Sequence, residues 1–387
     1  MRFFNFTKNP ISLLILLIVI LQGCSPTPFD EKDRAAAYAR KVDGDIVIGV
    51  AWPFSNQGDM FDKGLELAVQ KVNKDGGIQG RMLTLIKEDD QSSVTKGLEI
   101  AQSFAENEEM VAVIGHRTSS VSIPASTIYD NNNLLMLSPT STSPLLTQNE
   151  YKSVFRIIPN DDVIAEHLAK YAKTKQFIRI VICYGDDEYG RGLANAFEDY
   201  AEAEGLKIVD RISSYNESKN LGTLHEKWEA LDYDAIFIAD NSINAAEFIV
   251  ELGKSDINIP ILGGNTLDSP ELLKKGGKYV EGTVVGTVFN PEDSRNEVQE
   301  FISAFKEKYN VVPEQYAAHG YNAVMLLAHA MKKAETTVPS KVAETLHSIK
   351  NWSGINGIHT FNEHGDNVGD MVVIKEVRNG KFEYVVK

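Results

Sequence analysis

The stretch Ile46-Val47-Ile48-Gly49-Val50 opens the folded part of this chain and decides how the rest is organised. A short run of β-branched residues without polar alternation is typical of a strand buried on both faces of a parallel sheet. An amphipathic helical pattern follows over residues 60–75, and a second apolar strand lies at 83–86. Strands that alternate with single helices predict a parallel sheet covered by helices on both faces.

The same alternation continues to residue 158 and then begins again. A second series of strands and helices runs to residue 288, three helical patterns occupy 295–350, and Asn379-Gly380 has the composition of a two-residue hairpin turn. The sequence therefore predicts an α/β protein with two doubly wound parallel-sheet lobes. The predicted lobes are 45–158 plus 289–351 and 159–288 plus 352–387.

The N-terminus carries a targeting pattern. Arg2 and Lys8 precede an apolar run at 11–21 that ends in Leu21-Gln22-Gly23-Cys24. A basic start, about ten apolar residues and a small residue before the cut describe a secretory signal, and about 20 apolar residues are needed to cross a bilayer. We expect a lipoprotein signal at 1–23, a lipid on Cys24 and a tether at 24–44, which places the protein outside the cytoplasm at a membrane. An uncleaved anchor is the alternative.

Composition and absent motifs exclude several classes of function. The 387 residues carry a formal net charge of −15, whereas nucleic-acid binding requires clusters of Lys and Arg. The sequence contains no P-loop, dinucleotide fingerprint, nucleophile elbow or paired-histidine zinc motif, so we expect neither an enzyme nor a bound cofactor or metal. Cys183 lies in an apolar strand pattern, where a buried thiol is common.

Ligands of open parallel sheets bind in the loops beyond the carboxyl ends of the strands. Five such segments stand out, and two are dense in polar groups. Ser119 is a predicted N-cap of a helix whose free amides attract a carboxylate or phosphate, and the loop from Pro139 to Pro144 encloses four hydroxyls. Trp52 covers either a ligand or the neighbouring helix. The candidate ligand-binding residues of the five segments are Trp52, Gln57, Arg117, Ser119, Thr140, Ser141, Thr142, Tyr189, Asp240, Asn241 and Asn265.

Read together, these segments resemble the branched-chain amino-acid (Leu/Ile/Val) binding proteins of bacterial ABC transporters. The resemblance covers about residues 45–387, and its most specific pieces are Asp75 to Gly80, Val113 to His116 and Tyr189 to Gly192. It implies the type I periplasmic binding protein fold, in which three crossovers form the hinge between two lobes. It further implies that Ser119 and the loop from Thr140 to Thr142 hold the ligand's α-carboxylate.

The resemblance also assigns the other end of the ligand. Thr142 and an acidic residue of the second lobe contact the ammonium group, and Tyr189 closes over the ligand. This chain departs from the pattern, because Asn265 stands at the acidic position and Arg117 stands where an apolar residue is usual. Asp240 and Asp268 remain open alternatives for the missing charge.

The expected function is therefore that of a lipid-anchored receptor, monomeric, which captures an amino acid or a similar small carboxylate or amide. It delivers this solute to ABC permease subunits. A sensor of the same fold, which presents its closed form to a signalling receptor, is the alternative.

Overall fold

A computed structural model describes residues 44–55, 58–213, 215 and 221–385. The predicted signal at 1–23, the lipidation site Cys24, the tether up to residue 43 and the candidate residue Gln57 lie outside the described residues. Among the residues that are described, none of the helices combines the length and the apolar character needed to cross a membrane.

The first lobe is built on a five-stranded parallel sheet with the order β2-β1-β3-β4-β5. The opening apolar stretch forms the beginning of β1, and Ile46, Ile48 and Val50 are fully buried in it. The elements of this lobe, in chain order, are β1 (Ile46–Trp52), α1 (Phe61–Lys74), β2 (Leu83–Asp89), α2 (Val94–Glu106), β3 (Met110–Gly115), α3 (Ser119–Asn131), β4 (Leu135–Ser138) and β5 (Val154–Arg156).

The second lobe contains a seven-stranded sheet with the order β14-β13-β10-β9-β8-β6-β7. Its strands from β6 to β10 are parallel to one another, whereas β13 and β14 are antiparallel additions at one edge. The elements that follow β5 are α4 (Asp161–Thr174), β6 (Arg179–Tyr184), α5 (Glu188–Ala203), β7 (Lys207–Ser213), α6 (Leu221–Ala230), β8 (Ala235–Ala239), α7 (Ser242–Lys254), β9 (Ile261–Gly263), α8 (Pro270–Gly276) and β10 (Val284–Thr287).

After β10 the chain returns to the first lobe, where three helices pack on its core. Helix α10 lies close against α1, because a Cβ atom on Gly64 would lie only 2.0 Å from the carbonyl oxygen of Ala317. The remaining elements are α9 (Asn296–Tyr309), α10 (Gln315–Ala334), α11 (Pro339–His347), β11 (Trp352–Gly354), β12 (Gly357–His359), β13 (Val373–Arg378) and β14 (Lys381–Tyr384).

The structure corrects the lobe boundary that was expected at residue 352. Trp352, Ile355, Phe361 and Met371 pack with the core of the first lobe, so residues 352–371 belong with that lobe. The second lobe receives only the terminal hairpin of β13 and β14. Its predicted turn is confirmed, since Asn379 and Gly380 both have positive φ angles. Short strands next to a turn carry too little periodicity to reveal which sheet they join.

The described part of the chain crosses between the lobes three times, after β5, after β10 and before β13. This confirms the predicted two-lobed fold with a three-crossover hinge. The loops after β3 and β4 face those after β6, β8 and β9 across a cleft. Parallel strands present their carboxyl ends at one edge of each sheet, so the two sheets together concentrate polar loop residues in this space.

Candidate ligand-binding cleft

The cleft encloses a cavity of about 450 Å³ that both lobes line. Arg117, Ser119 and Thr140 of the first lobe and Tyr189, Asn241 and Asn265 of the second lobe were predicted here, and all six line the cavity. Other residues that line the cavity were not among the candidates from the sequence, and several of them carry charged or hydrogen-bonding groups. They include Asp187, Asn244, Glu271 and Tyr316.

The start of α3 forms one wall of the cavity. Thr118, Ser119 and Ser120 all line it, and Thr118 rather than the predicted Ser119 is the residue that precedes the helix. The Ser119 hydroxyl accepts a hydrogen bond of 3.2 Å from the backbone N–H of Ser143. The free amides and the dipole of a 13-residue helix favour an anionic group at this wall.

Hydrogen bonds to other first-lobe residues fix the hydroxyl-rich loop after β4. Thr140 lines the cavity and donates its hydroxyl hydrogen bond to the carbonyl oxygen of Arg117, at 2.7 Å. Ser141 shares a 2.6 Å hydrogen bond with Ser122. Ser141 and Thr142 are almost completely buried and do not appear in the cavity wall. Some of the hydroxyl groups of this loop therefore fix its conformation.

Tyr189 and Asn265 are in contact across the second-lobe wall. The Tyr189 hydroxyl lies 3.3 Å from the side-chain oxygen of Asn265, to which it donates, and 3.0 Å from the hydroxyl of Thr266. Burial raises the pKa of Tyr189 well above its ordinary value, so this phenol stays protonated and can donate. Asn265 thus orients the tyrosine that was predicted to close over the ligand.

The two acidic alternatives left open by the sequence are engaged elsewhere. Asp240 accepts hydrogen bonds from the backbone and side-chain N–H groups of Asn241 and from Asn244, at 2.6 to 3.2 Å, and does not line the cavity. Asp268 pairs with Lys375 at 2.8 Å and accepts from Thr287 at 2.8 Å. Neither carboxylate is free to receive an ammonium group.

Asp161 is a buried carboxylate that sequence reasoning missed. It is the first residue of α4 and fully buried, and apart from the neighbouring Thr142 hydroxyl its carboxylate has no hydrogen-bond partner among the described residues. Burial raises its pKa to about 7, although the Thr142 hydroxyl and Arg156 act in the opposite direction. An acidic residue at a helix start is common for capping alone, so its pattern gave no distinct signal.

Of the two candidates Trp52 and Arg117, only Arg117 lines the cavity. Trp52 is fully buried and stacks on Phe61 with ring centroids 3.7 Å apart, so it belongs to the first-lobe core and not to the cavity wall. Arg117 reaches the cavity with its guanidinium 4.7 Å from the ring of Tyr316. One nitrogen of Arg117 lies 3.8 Å from a carboxylate oxygen of Asp59.

The first lobe also contains a cluster of three buried polar side chains, Asp90, His116 and Tyr129. The carboxylate of Asp90 lies 2.7 Å from Nδ1 of His116. Nε2 of His116 lies 3.1 Å from the hydroxyl of Tyr129. All three side chains are almost or fully buried in the first lobe. Within the described part of the chain, no group of His, Cys, Asp and Glu side chains has an arrangement that could hold a metal ion.

Known proteins share this architecture. The sequence profile of the periplasmic binding protein family matches residues 46–381. Among curated proteins, the chain is 29% identical to the "Leu/Ile/Val-binding protein homolog 3" of Brucella melitensis, over 86% of this chain and 90% of that protein. It is 26% identical to the "Amino acid binding protein" of Pseudomonas aeruginosa, over 87% of this chain and 92% of that protein.

Solved structures are similar over the same region. The ABC transporter substrate-binding protein of Desulfitobacterium hafniense in complex with Leu is 47% identical, with a TM-score of 0.82, and the match covers 89% of this chain and all of that one. A leucine-binding protein from Thermotoga maritima is 26% identical, with a TM-score of 0.80, over 88% of this chain and 98% of that one. The predicted resemblance is confirmed: this chain belongs to the periplasmic binding protein family, whose members are solute-binding proteins and not enzymes.

Proposed function

We propose that this chain captures a branched-chain amino acid, with leucine as its first ligand, and delivers it to the permease subunits of an ABC transporter. The observation that carries this proposal is the cavity between the lobes, together with the 47% identity to the substrate-binding protein whose structure contains Leu. The geometry supports one binding group for each end of a free amino acid.

The ligand's α-carboxylate binds at the start of α3. Ser119 offers a hydroxyl, and the first amides of the helix add donors with partial positive charge. Thr140 lies beside them in the same wall. A carboxylate in this position exchanges its water for fixed donors in a partly closed site, where hydrogen bonds to charged groups are strong.

The ligand's ammonium group binds beside Thr142 and Asp161, which are buried next to Tyr189 of the cavity wall and do not themselves line the cavity. The backbone N–H of Asp161 donates to the carbonyl oxygen of Thr142 at 2.9 Å, which holds the two residues together at the hinge. The Thr142 hydroxyl and the Asp161 carboxylate are buried next to each other, and the hydroxyl lowers the pKa of Asp161 through a hydrogen bond; neither group has a further hydrogen-bond partner among the described residues. Buried polar groups without partners are costly, and an ammonium group would satisfy them.

The proposed Asp161 site also lies next to the closing tyrosine. The negative charge of Asp161 contributes to the raised pKa of Tyr189, which lines the cavity from the second lobe. Asp161 therefore supplies the acidic partner that the resemblance led us to expect in the second lobe, while Asn265 occupies the expected position and orients Tyr189.

The proposed location is outside the cytoplasm, with the protein anchored by a lipid on Cys24. The support is the basic start, the apolar run and the small residue before Cys24. Cys24→Ser should move the protein from the detergent phase to the aqueous phase in a two-phase extraction. Equal partitioning of both forms would contradict anchoring at Cys24.

Calorimetric titration of ligand-stripped protein with leucine, isoleucine and valine tests the proposed ligand class. We expect a dissociation constant on the order of micromolar or below for at least one of the three, with one site per chain. Alanine, glutamate and lysine serve as comparison ligands of the same backbone. Folded protein that binds none of the branched-chain amino acids would overturn the proposal.

A further inference from the structure

The side chain of Arg117 lies in an environment suited to a cation. Its guanidinium is 4.7 Å from the ring centroid of Tyr316 and 5.8 Å from that of Trp52. Its Nη1 lies 3.8 Å from Oδ2 of Asp59, and the side chain is 18% exposed. Aromatic faces and a carboxylate together form the type of site that proteins use to bind an ammonium or guanidinium ligand.

The site holds more negative charge than Arg117 neutralises. Asp59 is joined there by Glu271, which comes from the second lobe and lines the cavity beside Arg117. A Cβ atom on Gly58 would lie 2.9 Å from Oε1 of Glu271, so this carboxylate reaches the first-lobe segment that carries Asp59. Glu314 is also close, because the charge of Asp59 adds to the burial that raises the pKa of Glu314 to about 7.

Glu314 and Asp59 differ in how far their carboxylate oxygens are already used as hydrogen-bond acceptors. Glu314 accepts from the backbone N–H groups of Met60, Tyr316 and Ala317, so it is used as a helix cap. Asp59 accepts from the Phe61 N–H with Oδ1, and its Oδ2 faces Arg117 and accepts from Nε1 of Trp52 at 3.4 Å. Burial raises the pKa of Asp59, and the positive charge of Arg117 offsets part of that rise. Arg117 is thus a cation that favours the ionised form of Asp59.

We propose that Arg117 occupies a cation subsite at the side-chain end of the cleft, formed by Asp59, Glu271 and the rings of Trp52 and Tyr316, and thereby excludes amino acids with cationic side chains. This inference rests on the proposed function, since it names the residue that makes the same site select uncharged side chains. The carboxylates and aromatic rings could bind the cationic side chain of a lysine or arginine ligand, but the guanidinium of Arg117 already occupies this subsite.

The physical argument is one of charge balance. A cationic ligand side chain entering the wild-type cleft meets Arg117 at close range, and like charges in a partly buried site repel. When Arg117 loses its charge, Asp59 and Glu271 lose their counter-ion, and the shorter side chain leaves space between these carboxylates and the cavity. A basic ligand then supplies the missing charge and fills the space between the rings.

Titration of Arg117→Gln with leucine, lysine and arginine is the first test. We expect the affinity for lysine and arginine to rise by at least about tenfold over wild type, as a cation over aromatic rings beside a carboxylate allows. Arg191→Gln is the matched control, because Arg191 is exposed and pairs with Asp186 outside this site. Adding Glu271→Gln to Arg117→Gln should reduce the gain. An Arg117→Gln variant that folds and gains no affinity for either basic amino acid overturns the inference.

A second test does not depend on the identity of the transported solute. Arg117→Gly creates an empty cation subsite, and methylguanidinium should raise its thermal midpoint by more than that of wild type or Arg191→Gln. If Arg117→Gly does not fold by itself, methylguanidinium during refolding should restore the folded protein. Equal effects on all three chains, or no recovery on refolding, overturn the inference. Wild-type protein that fails to bind leucine contradicts the proposed function alone.

Discussion

The hydroxyl of Ser143 in the first lobe donates a hydrogen bond to Oε1 of Glu188 in the second lobe, with the oxygens 3.1 Å apart. Ser143 ends the hydroxyl-rich loop, and Glu188 opens α5 directly before Tyr189. The bond therefore joins the two walls of the cleft, and it can form only when the lobes are close. This contact ties lobe closure to the position of the loop that holds the proposed ligand.

Glu188→Ala removes this contact between the lobes. We expect the affinity for leucine to fall by about tenfold, as the loss of one hydrogen bond to a charged group predicts, with little change in the thermal midpoint of the unliganded protein. Calorimetry measures the affinity. Glu202→Ala, at an exposed position of the same helix, is the control and should bind leucine like wild type. Equal affinity in both variants would show that the Ser143 contact does not contribute to closure.

Ser119→Ala tests the proposed carboxylate site. The hydroxyl lines the cavity and orients the Ser143 N–H, so its loss should weaken leucine binding by about 1–3 kcal/mol. Ser348→Ala, on the first-lobe surface, should leave binding unchanged. Unchanged affinity of Ser119→Ala would remove this hydroxyl from direct contact with the ligand.

Asp161 predicts that ligand binding depends on pH. Burial raises its pKa to about 7 in the unliganded protein, and a bound ammonium group would keep the carboxyl ionised. Binding therefore releases a proton when the pH is below about 7, and the affinity should be about tenfold weaker at pH 6 than at pH 8. Calorimetry at both pH values measures this, and the proton release appears as a dependence of the heat on the buffer.

Asp161→Asn should remove this pH dependence and weaken binding at pH 8. The same variant should raise the thermal midpoint of the unliganded protein at pH 8. The reason is that a carboxyl with a raised folded-state pKa binds a proton more readily in the folded protein, so its contribution to stability falls as the pH rises from about 4 to 7. Asp232→Asn, at an exposed position, is the control. A steep pH dependence that survives in Asp161→Asn would assign the titration to another group.

The buried pair of Asp90 and His116 predicts a large effect on stability. Asp90→Ala leaves Nδ1 of His116 without its 2.7 Å partner in a buried site, which should cost about 2–4 kcal/mol of the free energy of unfolding. Urea denaturation measures this. Asp75→Ala removes an exposed ion pair with Lys71 and should have a much smaller effect. Similar losses in both variants would show that the buried pair adds nothing beyond a surface contact.

Cys183 should be inert in the folded protein. It is fully buried, and burial raises its pKa well above the ordinary value, so little reactive thiolate is present. A disulfide reagent should label it only after denaturation. Labelling of native protein at the rate of the denatured chain would show that strand β6 opens readily, and Cys183→Ala identifies any signal from other groups.

Much of the fold could be predicted because its elements carry strong patterns. The run at Ile46 forms strand β1, and the helical periodicity at 60–75 becomes α1. Residues 352–371 were misassigned, since their short strands and turns gain their place from packing against the first-lobe core. The predicted N-cap Ser119 was wrong by one residue, because adjacent Thr and Ser residues are equally able to precede a helix.

The sequence predicted cavity-lining residues correctly where they lie in loops that follow strands. It did not predict which of several possible partners a polar side chain contacts. Ser119, Tyr189 and Asn265 line the cavity because strand order brings their loops together. Asp240 also follows a strand, but its carboxylate accepts hydrogen bonds from Asn241 and Asn244 and does not line the cavity. The prediction that Thr142 contacts the ligand stays a prediction.

The sequence by itself determined the two series of alternating elements, because apolar periodicity is a local property of the chain. It also determined which loops reach the cleft, since parallel strands all expose their carboxyl ends at one sheet edge. Only the tertiary structure decided which charges face the cavity. Arg117, Asp59 and Glu271 come from three distant segments, and whether each is paired or free depends on distances that exist only after the lobes have packed.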